Sequence, residues 1–243
     1  MHASEDPEIV RRPARPGARG PLETEGIDPA TNLTIDEEHL QRATWNVRAA
    51  FLSSGALTIG VGQRPDAPCA RHARALGVPV VPRRSGGTGL LLNPGDLVWS
   101  IVAPRADLWV GRDYARAYTR LGAGVAAWLK TLGLPARWAE PLGRSEEFCL
   151  LSRRGQVLTV RGRAIGGAAQ HITPRALLHH GIVCVGLDRA KLSRIFDATP
   201  QLLEETVTSL SEEEVVWTPY ELSRGLFEGL RRSLPAPDPS PAP

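Results

Sequence analysis

Val78-Pro79-Val80-Val81-Pro82-Arg83-Arg84-Ser85-Gly86-Gly87-Thr88-Gly89-Leu90 is the stretch on which the reading of this chain turns. The apolar run Val78 to Val81 is bounded by turn formers and reads as a strand. Two arginines follow, then Gly86, Gly87 and Gly89 within four positions. Glycine lets a backbone take positive φ and approach a ligand closely, because no Cβ is in the way. Adjacent guanidiniums are permanently charged forks that suit carboxylate or phosphate. A basic, glycine-rich turn leaving a strand is therefore a grip for an anionic small molecule. The alternative is a tight hairpin with Arg83 and Arg84 on its surface.

Before this stretch, residues 1–25 are rich in proline, glycine and charge and read as a disordered arm. Asn32 to about Ala50 reads as a first helix, capped by Thr34, with Asp36, Glu37 and Glu38 in its first turn. Gly55 to Gly62 reads as a buried strand, and Ala67 to Leu76 as a short helix ended by Gly77. After it, Asn93-Pro94-Gly95-Asp96 is a turn signal followed by the strand Leu97 to Val102. Arg112 to Leu132 carries apolar residues at helical spacing, closed by Gly133. Phe148 to Leu151, Val157 to Val160 and Ile182 to Leu187 read as strands, and Leu202 to Leu210 and Tyr220 to Leu230 as two closing helices. Residues 234–243 are proline-rich and read as a disordered tail. The expectation is one α/β body of the α+β type over residues 26–233, a mixed β-sheet flanked by helices.

Composition narrows the function. With 42% hydrophobic and 23% charged residues the 243-residue chain is ordinary for a globular protein with a sizeable core. Its net charge is only +3, and its arginines are scattered with few aromatics between them, so no nucleic-acid groove is expected. Cys69, Cys149 and Cys184 are widely spaced without a CxxC pair, which fits neither a disulfide framework nor a zinc site. No apolar run reaches the length of a bilayer span, and the N-terminus lacks a signal-peptide stretch. No metal and no membrane are expected, and the compartment expected is the cytoplasm.

Six motifs in order resemble the catalytic domain of the lipoate–protein ligase and octanoyltransferase family, related to biotin protein ligases. They are Asn32 to Glu37; Ile59-Gly60-Val61-Gly62-Gln63; Arg83 to Gly89, with Thr88 where the family has a third glycine; Asp96-Leu97-Val98-Trp99-Ser100; Gly162-Arg163-Ala164-Ile165-Gly166-Gly167-Ala168-Ala169-Gln170; and His179-His180-Gly181. The resemblance covers roughly residues 30 to 230. It implies the class II synthetase-like fold of biotin and lipoate ligases, with an acyl group held between the arginine-glycine loop and the strand carrying Arg163 to Gly167. Arg83, Arg84, Ser85, Gly86, Gly87, Thr88, Gly89, Arg163, Gly166, Gly167 and His180 are then the substrate-binding candidates.

The family's lysine in the fifth motif is replaced here by Ala164. An ammonium there would bind anionic intermediates and stabilise oxyanion charge, and alanine does neither. Arg163 is adjacent, but strand neighbours point to opposite faces unless the backbone bulges. Cys149 lies at the offset from this position at which cysteine-dependent octanoyltransferases of the family carry a nucleophile. A thiolate takes an acyl group from a carrier protein and passes it to a lysine of an acceptor domain. Cys149 as a small buried hydrophobe, and His179 and His180 as structural histidines, remain the other readings. The resemblance implies attachment or transfer of a lipoyl or octanoyl group to a lipoyl-domain protein. The alternative is a catalytically impaired homologue that binds an acyl ligand or carrier domain, or serves as a partner subunit. ATP and Mg belong only to the ligase form of the reaction.

Overall fold

The computed structural model describes residues 26–107, 114–140, 142–152 and 156–234. The arm expected over 1–25 and the tail from 235 onward lie outside the described residues, and Leu234 is buried against the core. Helix α1, Pro29–Arg42, is capped by Asp28, whose carboxylate accepts from the amides of Ala30 and Thr31 at 3.0 Å. Thr34 is not the cap; its hydroxyl donates back to the Ala30 carbonyl inside the helix. The helix stops at Ala43, which takes a left-handed φ of 53°, well before Ala50. Strand β1, Asn46–Phe51, follows where the sequence pattern suggested more helix.

The remaining elements are β2, Ala56–Ile59; α2, Pro68–Ala75; β3, Val80–Pro82; β4, Leu90–Leu92; β5, Leu97–Pro104; α3, Tyr114–Thr131; β6, Ala136–Ala139; β7, Val157–Val160; β8, Arg163–Ile172; β9, Ala176–Val183; α4, Arg189–Phe196; α5, Pro200–Thr206; and α6, Pro219–Ser233. Phe148 to Leu151 is not a strand. Cys149–Leu151 is a single 3-10 turn. The last sheet strand begins at Ala176, not Ile182, so the two histidines are inside it.

Six strands form an antiparallel sheet in the order β1-β5-β9-β8-β7-β6, and a second sheet, β3-β2-β4, joins one parallel and one antiparallel pair. This is the mixed, helix-flanked α+β architecture expected. Helices α3 and α6 cover one face of the large sheet, with Leu121, Val125 and Leu129 packed beside Leu222, Leu226 and Leu230 in one apolar cluster. The small sheet, α2 and α4 contribute to a second cluster, which holds Leu57, Leu91, Ala70, Ile195 and Phe196. Helix α1 lies on that second side, Leu40 against Val102, Ala176 and Leu178.

Register then fixes what each side displays. Side chains alternate along a strand, and residues directly opposite one another share a face. Arg48 pairs with Ser100, Ser100 with His180, and His180 with Ala169. This row crosses four strands beneath α1. The neighbouring row, Val47, Ile101, His179 and Gln170, faces the opposite side.

Candidate active site

Helix α1 places Asn32, Asp36 and Leu40 one turn apart on its buried face. Asp36 comes down on the Arg48–Ser100–His180 row. Its Oδ1 accepts from Arg48 Nη1 at 2.6 Å, and its Oδ2 lies 3.1 Å from His180 Nδ1. Burial alone would raise this carboxyl, but hydrogen bonding to His180, the charges of His180 and Arg48, and a bond from Ser100 hold it below the ordinary aspartate value. The other ring nitrogen, His180 Nε2, is 2.7 Å from Ser85 Oγ. Ser85, His180 and Asp36 thus form a buried relay, with Ser85 only 1% exposed. Ser85 is outside the cavity lining, so the relay fastens the glycine loop to β9 and offers no serine nucleophile.

The loop between β3 and β4 folds around Arg83. Its guanidinium is buried, donating to Thr58 Oγ1 at 3.1 Å and to the carbonyls of Gly86 and Thr88 at 2.9 and 2.8 Å. Gly87 has φ 92°, a conformation that suits glycine. A Cβ on Gly87 would stand 2.7 Å from Arg83 Nη2 and 3.2 Å from Cys149 Sγ. Any Cβ on Gly60 would collide with the Gly87 carbonyl. The turn carrying Cys149 docks on the end of this loop, where the Cys149 amide donates to the Gly89 carbonyl at 2.8 Å and Phe148 bridges Gly89.

A largely apolar cavity opens here. Arg83, Cys149 and His180 line it together with Leu33, Leu90, Trp99, Leu150, Gly167, Ala168 and Ile182. Cys149 is half-buried, whereas Cys69 and Cys184 are buried in the second apolar cluster. Burial, with Glu147 adding to it, pushes the Cys69 thiol up to about 12, and burial raises Cys184 well above its ordinary value. Among the described residues no group of three or more His, Cys, Asp or Glu is placed to hold a metal ion.

The candidate residues therefore divide. Arg83, Gly167 and His180 line the cavity with Cys149, Gly87 lies between Arg83 and Cys149, Ser85 bonds His180 from outside the lining, and Gly89 packs against Cys69 and Phe196. Gly86 and Thr88 contribute carbonyls that hold Arg83. Arg84 turns outward to Glu37 at 3.1 Å. Gly166 is pressed against the backbone of β9, where a Cβ would meet the carbonyl of Ile182. The backbone does shift register opposite Leu158 and Thr159, yet Arg163 still leaves the cavity, bonding Glu213 at 2.8 Å. Ala164 is fully buried among apolar residues, its carbonyl accepting from the Thr208 amide at 2.9 Å, and it does not line the cavity.

Sequence reasoning missed Asp36, Arg48 and Thr58 as parts of the site. A signal for Asp36 existed: with Asn32 and Leu40 it shares a helical face, and a carboxylate on a buried face needs partners. His179, beside His180 in sequence, sits on the helix side against Trp99 and Tyr118, with ring centroids at 5.0 and 4.7 Å. Neither of its nitrogens has a partner among the described residues, and burial, then the charge of His180, lowers it to about 3.

An antiparallel sheet carries helices on one side and a glycine loop on the other, with an apolar cavity between loop and sheet. Residues 28–230 match the model of the lipoyl protein ligase A/B catalytic domain, and the chain belongs to that family. It is 28% identical over 212 residues to octanoyltransferase LipM of Exiguobacterium sp. (strain ATCC BAA-1283 / AT1b), spanning 80% of this chain and 75% of that one. Against octanoyltransferase LipM of Bacillus subtilis (strain 168) identity is 26% over 195 residues, spanning 72% and 68%. Among solved structures, a lipoate-protein ligase A bound with ATP superposes with a TM-score of 0.70 at 21% identity, covering 85% of this chain and 81% of that one. A putative lipoate protein ligase from T. acidophilum with bound lipoic acid gives 0.68 at 22%, covering 86% and 82%. These two share the fold. Among the described residues no helix is long and apolar enough to cross a membrane.

Proposed function

We propose that this chain moves an octanoyl or lipoyl group from a carrier thioester, through Cys149, to a lysine of a lipoyl-domain protein. The observation that carries the reading is the position of Cys149 in the lining of the apolar cavity, held by its amide on the glycine loop. Similarity to octanoyltransferases supports it. The Cys149 thiolate forms a bond to the acyl carbonyl carbon while the donor's C–S bond breaks, and the departing carrier thiolate takes a proton from solvent. The acceptor's neutral amine then attacks the new thioester, Cys149 leaves as thiolate, and the resulting ammonium gives its proton to solvent. The acyl chain lies in the apolar cavity, and the arginine-glycine loop closes over its carboxyl end.

ATP is bound by the ligase structure this fold matches. In this chain the position of the family lysine is Ala164, buried in apolar packing. With no ammonium there to hold an acyl-adenylate, the residues present do not fit ATP chemistry, and no step passes through it. The expected compartment is the cytoplasm, where three free thiols persist.

The test is intact-mass analysis after incubation with octanoyl-carrier protein. We expect a hydroxylamine-sensitive octanoyl adduct on Cys149, none on Cys69 or Cys184, and an octanoylated lipoyl-domain acceptor. Transfer of equal extent by Cys149→Ala would refute the reading.

A further inference from the structure

Arg83 is a permanent charge buried without a carboxylate partner among the described residues. Its side chain is buried and its three bonds go to a hydroxyl and two carbonyls, all neutral. Among the described residues it makes no ion pair with a carboxylate. The carboxylates on the elements around it are engaged: Asp36 by Arg48, Glu37 by Arg84, and Glu147 by the Cys69 amide. Burying a guanidinium without an opposite charge is costly, and arginine does not escape by losing its proton. Some anion is expected beside it.

The group that fits is Cys149. Both Arg83 Nη2 and Cys149 Sγ press on the empty Cβ position of Gly87, at 2.7 and 3.2 Å. They are thus no more than about 6 Å apart, within the range at which an opposite charge favours the ionised form. We infer that Arg83 is the counter-ion of the Cys149 thiolate and supplies, from the glycine loop, the positive charge that Ala164 does not supply from β8. This rests on Cys149 being the acyl-accepting nucleophile. Arg83 lines the same cavity as Cys149, so the charge that serves the thiolate before attack is at hand for the oxyanion after it. Tyr118, whose hydroxyl donates to the carbonyls of Gln156 and Ala168, has its phenol raised above the ordinary value, by burial first and then by Cys149, so it stays protonated.

The inference is tested by alkylating the full chain with iodoacetamide between pH 5 and 10 and reading Cys149 by peptide mass. The variants are Arg83→Lys, which keeps the charge, and Arg83→Met, which removes it. We expect wild-type Cys149 to alkylate faster at pH 7 than an ordinary free thiol. In Arg83→Met alkylation at pH 7 should slow roughly tenfold; Arg83→Lys should restore most of the rate. A purely structural role would make both variants equally slow, and that result, or a Met variant that melts normally with an unchanged rate, overturns the inference. If Arg83→Met does not fold, the wild type decides: alkylation of Cys149 at pH 7 no faster than that of a free thiol overturns it. The two readings fail separately. Transfer surviving Cys149→Ala defeats the nucleophile, whereas an adduct on a Cys149 whose ionisation ignores Arg83 defeats only the ion pair.

Discussion

Gly87→Ala is the smallest perturbation that reaches both Arg83 and Cys149. At φ 92° an alanine is strained, at a cost of roughly 1–2 kcal/mol. Its methyl carbon would also stand 2.7 Å from Arg83 Nη2. That nitrogen cannot swing away freely, since it donates to the carbonyls of Gly86 and Thr88. Losing one such charge-assisted bond adds about 1.5–3 kcal/mol. The sum, roughly 2.5–5 kcal/mol, corresponds to a thermal midpoint lower by about 5–20 °C in a chain of this size. On the other side the methyl sits 3.2 Å from Cys149 Sγ, so the sulfur gives by a few tenths of an ångström. Misplacement on the order of 1 Å costs about a hundredfold in rate. We therefore expect octanoyl transfer to fall by about tenfold while the variant still melts cooperatively. Gly62→Ala is the control, because a Cβ there meets nothing within 4 Å and the backbone is not left-handed. The measurements are scanning calorimetry and acceptor mass gain at fixed time. Transfer within about threefold of wild type in Gly87→Ala would show that the loop and the sulfur are not placed for reaction as described.

Asp36→Asn should cost about 3–5 kcal/mol at pH 7, because it strands a buried Arg48. Asp36 has a lowered folded pKa, so its contribution is present above the unfolded value of 3.8 and disappears as pH falls through the folded one. Urea melts from pH 2 to 7 should show that acid loss in wild type and not in the variant. His179 acts in the same direction over a higher pH range: the unfolded imidazole takes a proton near 6.5 that the folded one refuses until about 3. Stability it leaves intact above pH 6.5 is lost as pH drops, about 2 kcal/mol by pH 5. His179→Phe should remove that loss, melting above wild type at pH 5 and close to it at pH 8. Identical pH slopes in the two proteins would show that His179 is not held unprotonated.

What could be read from the sequence followed from local chemistry. Gly77, Gly95 and Gly133 all take positive φ where the pattern ended an element or turned the chain. The strand β1 could not be read that way. Its residues Asn46 to Ala50 are buried on both faces, so no period-two alternation marks them. The helix before it ends on a left-handed Ala43 in place of a glycine, so no stop signal precedes it either. Cys149-Leu150-Leu151 is a 3-10 turn in a run too short and too uniformly apolar to tell from a buried strand. In β8, Ala164, Gly166, Gly167, Ala168 and Ala169 have low strand propensity, and the pairing with β7 and β9 holds them extended.

The site was partly legible for a different reason. The glycines of the loop announce a close backbone approach, but only the fold says to what: a guanidinium and a thiol, both belonging to the chain itself. The two arginines were equivalent in sequence and are opposites in space, Arg83 buried under the loop and Arg84 at the surface with Glu37. The adjacent histidines divide in the same way, because neighbours on β9 face opposite layers. What chooses between them is the partner each layer offers. Arg48 keeps Asp36 ionised, and a carboxylate at Nδ1 fixes the proton on that nitrogen of His180. Nε2 is thereby aimed at Ser85, 2.7 Å away, and Ser85 carries the loop that holds Arg83. The chain of contacts runs from a helix, through two strands, to the charge beside Cys149. Weakening its first member, the Arg48–Asp36 pair, therefore loosens the last without touching the cavity.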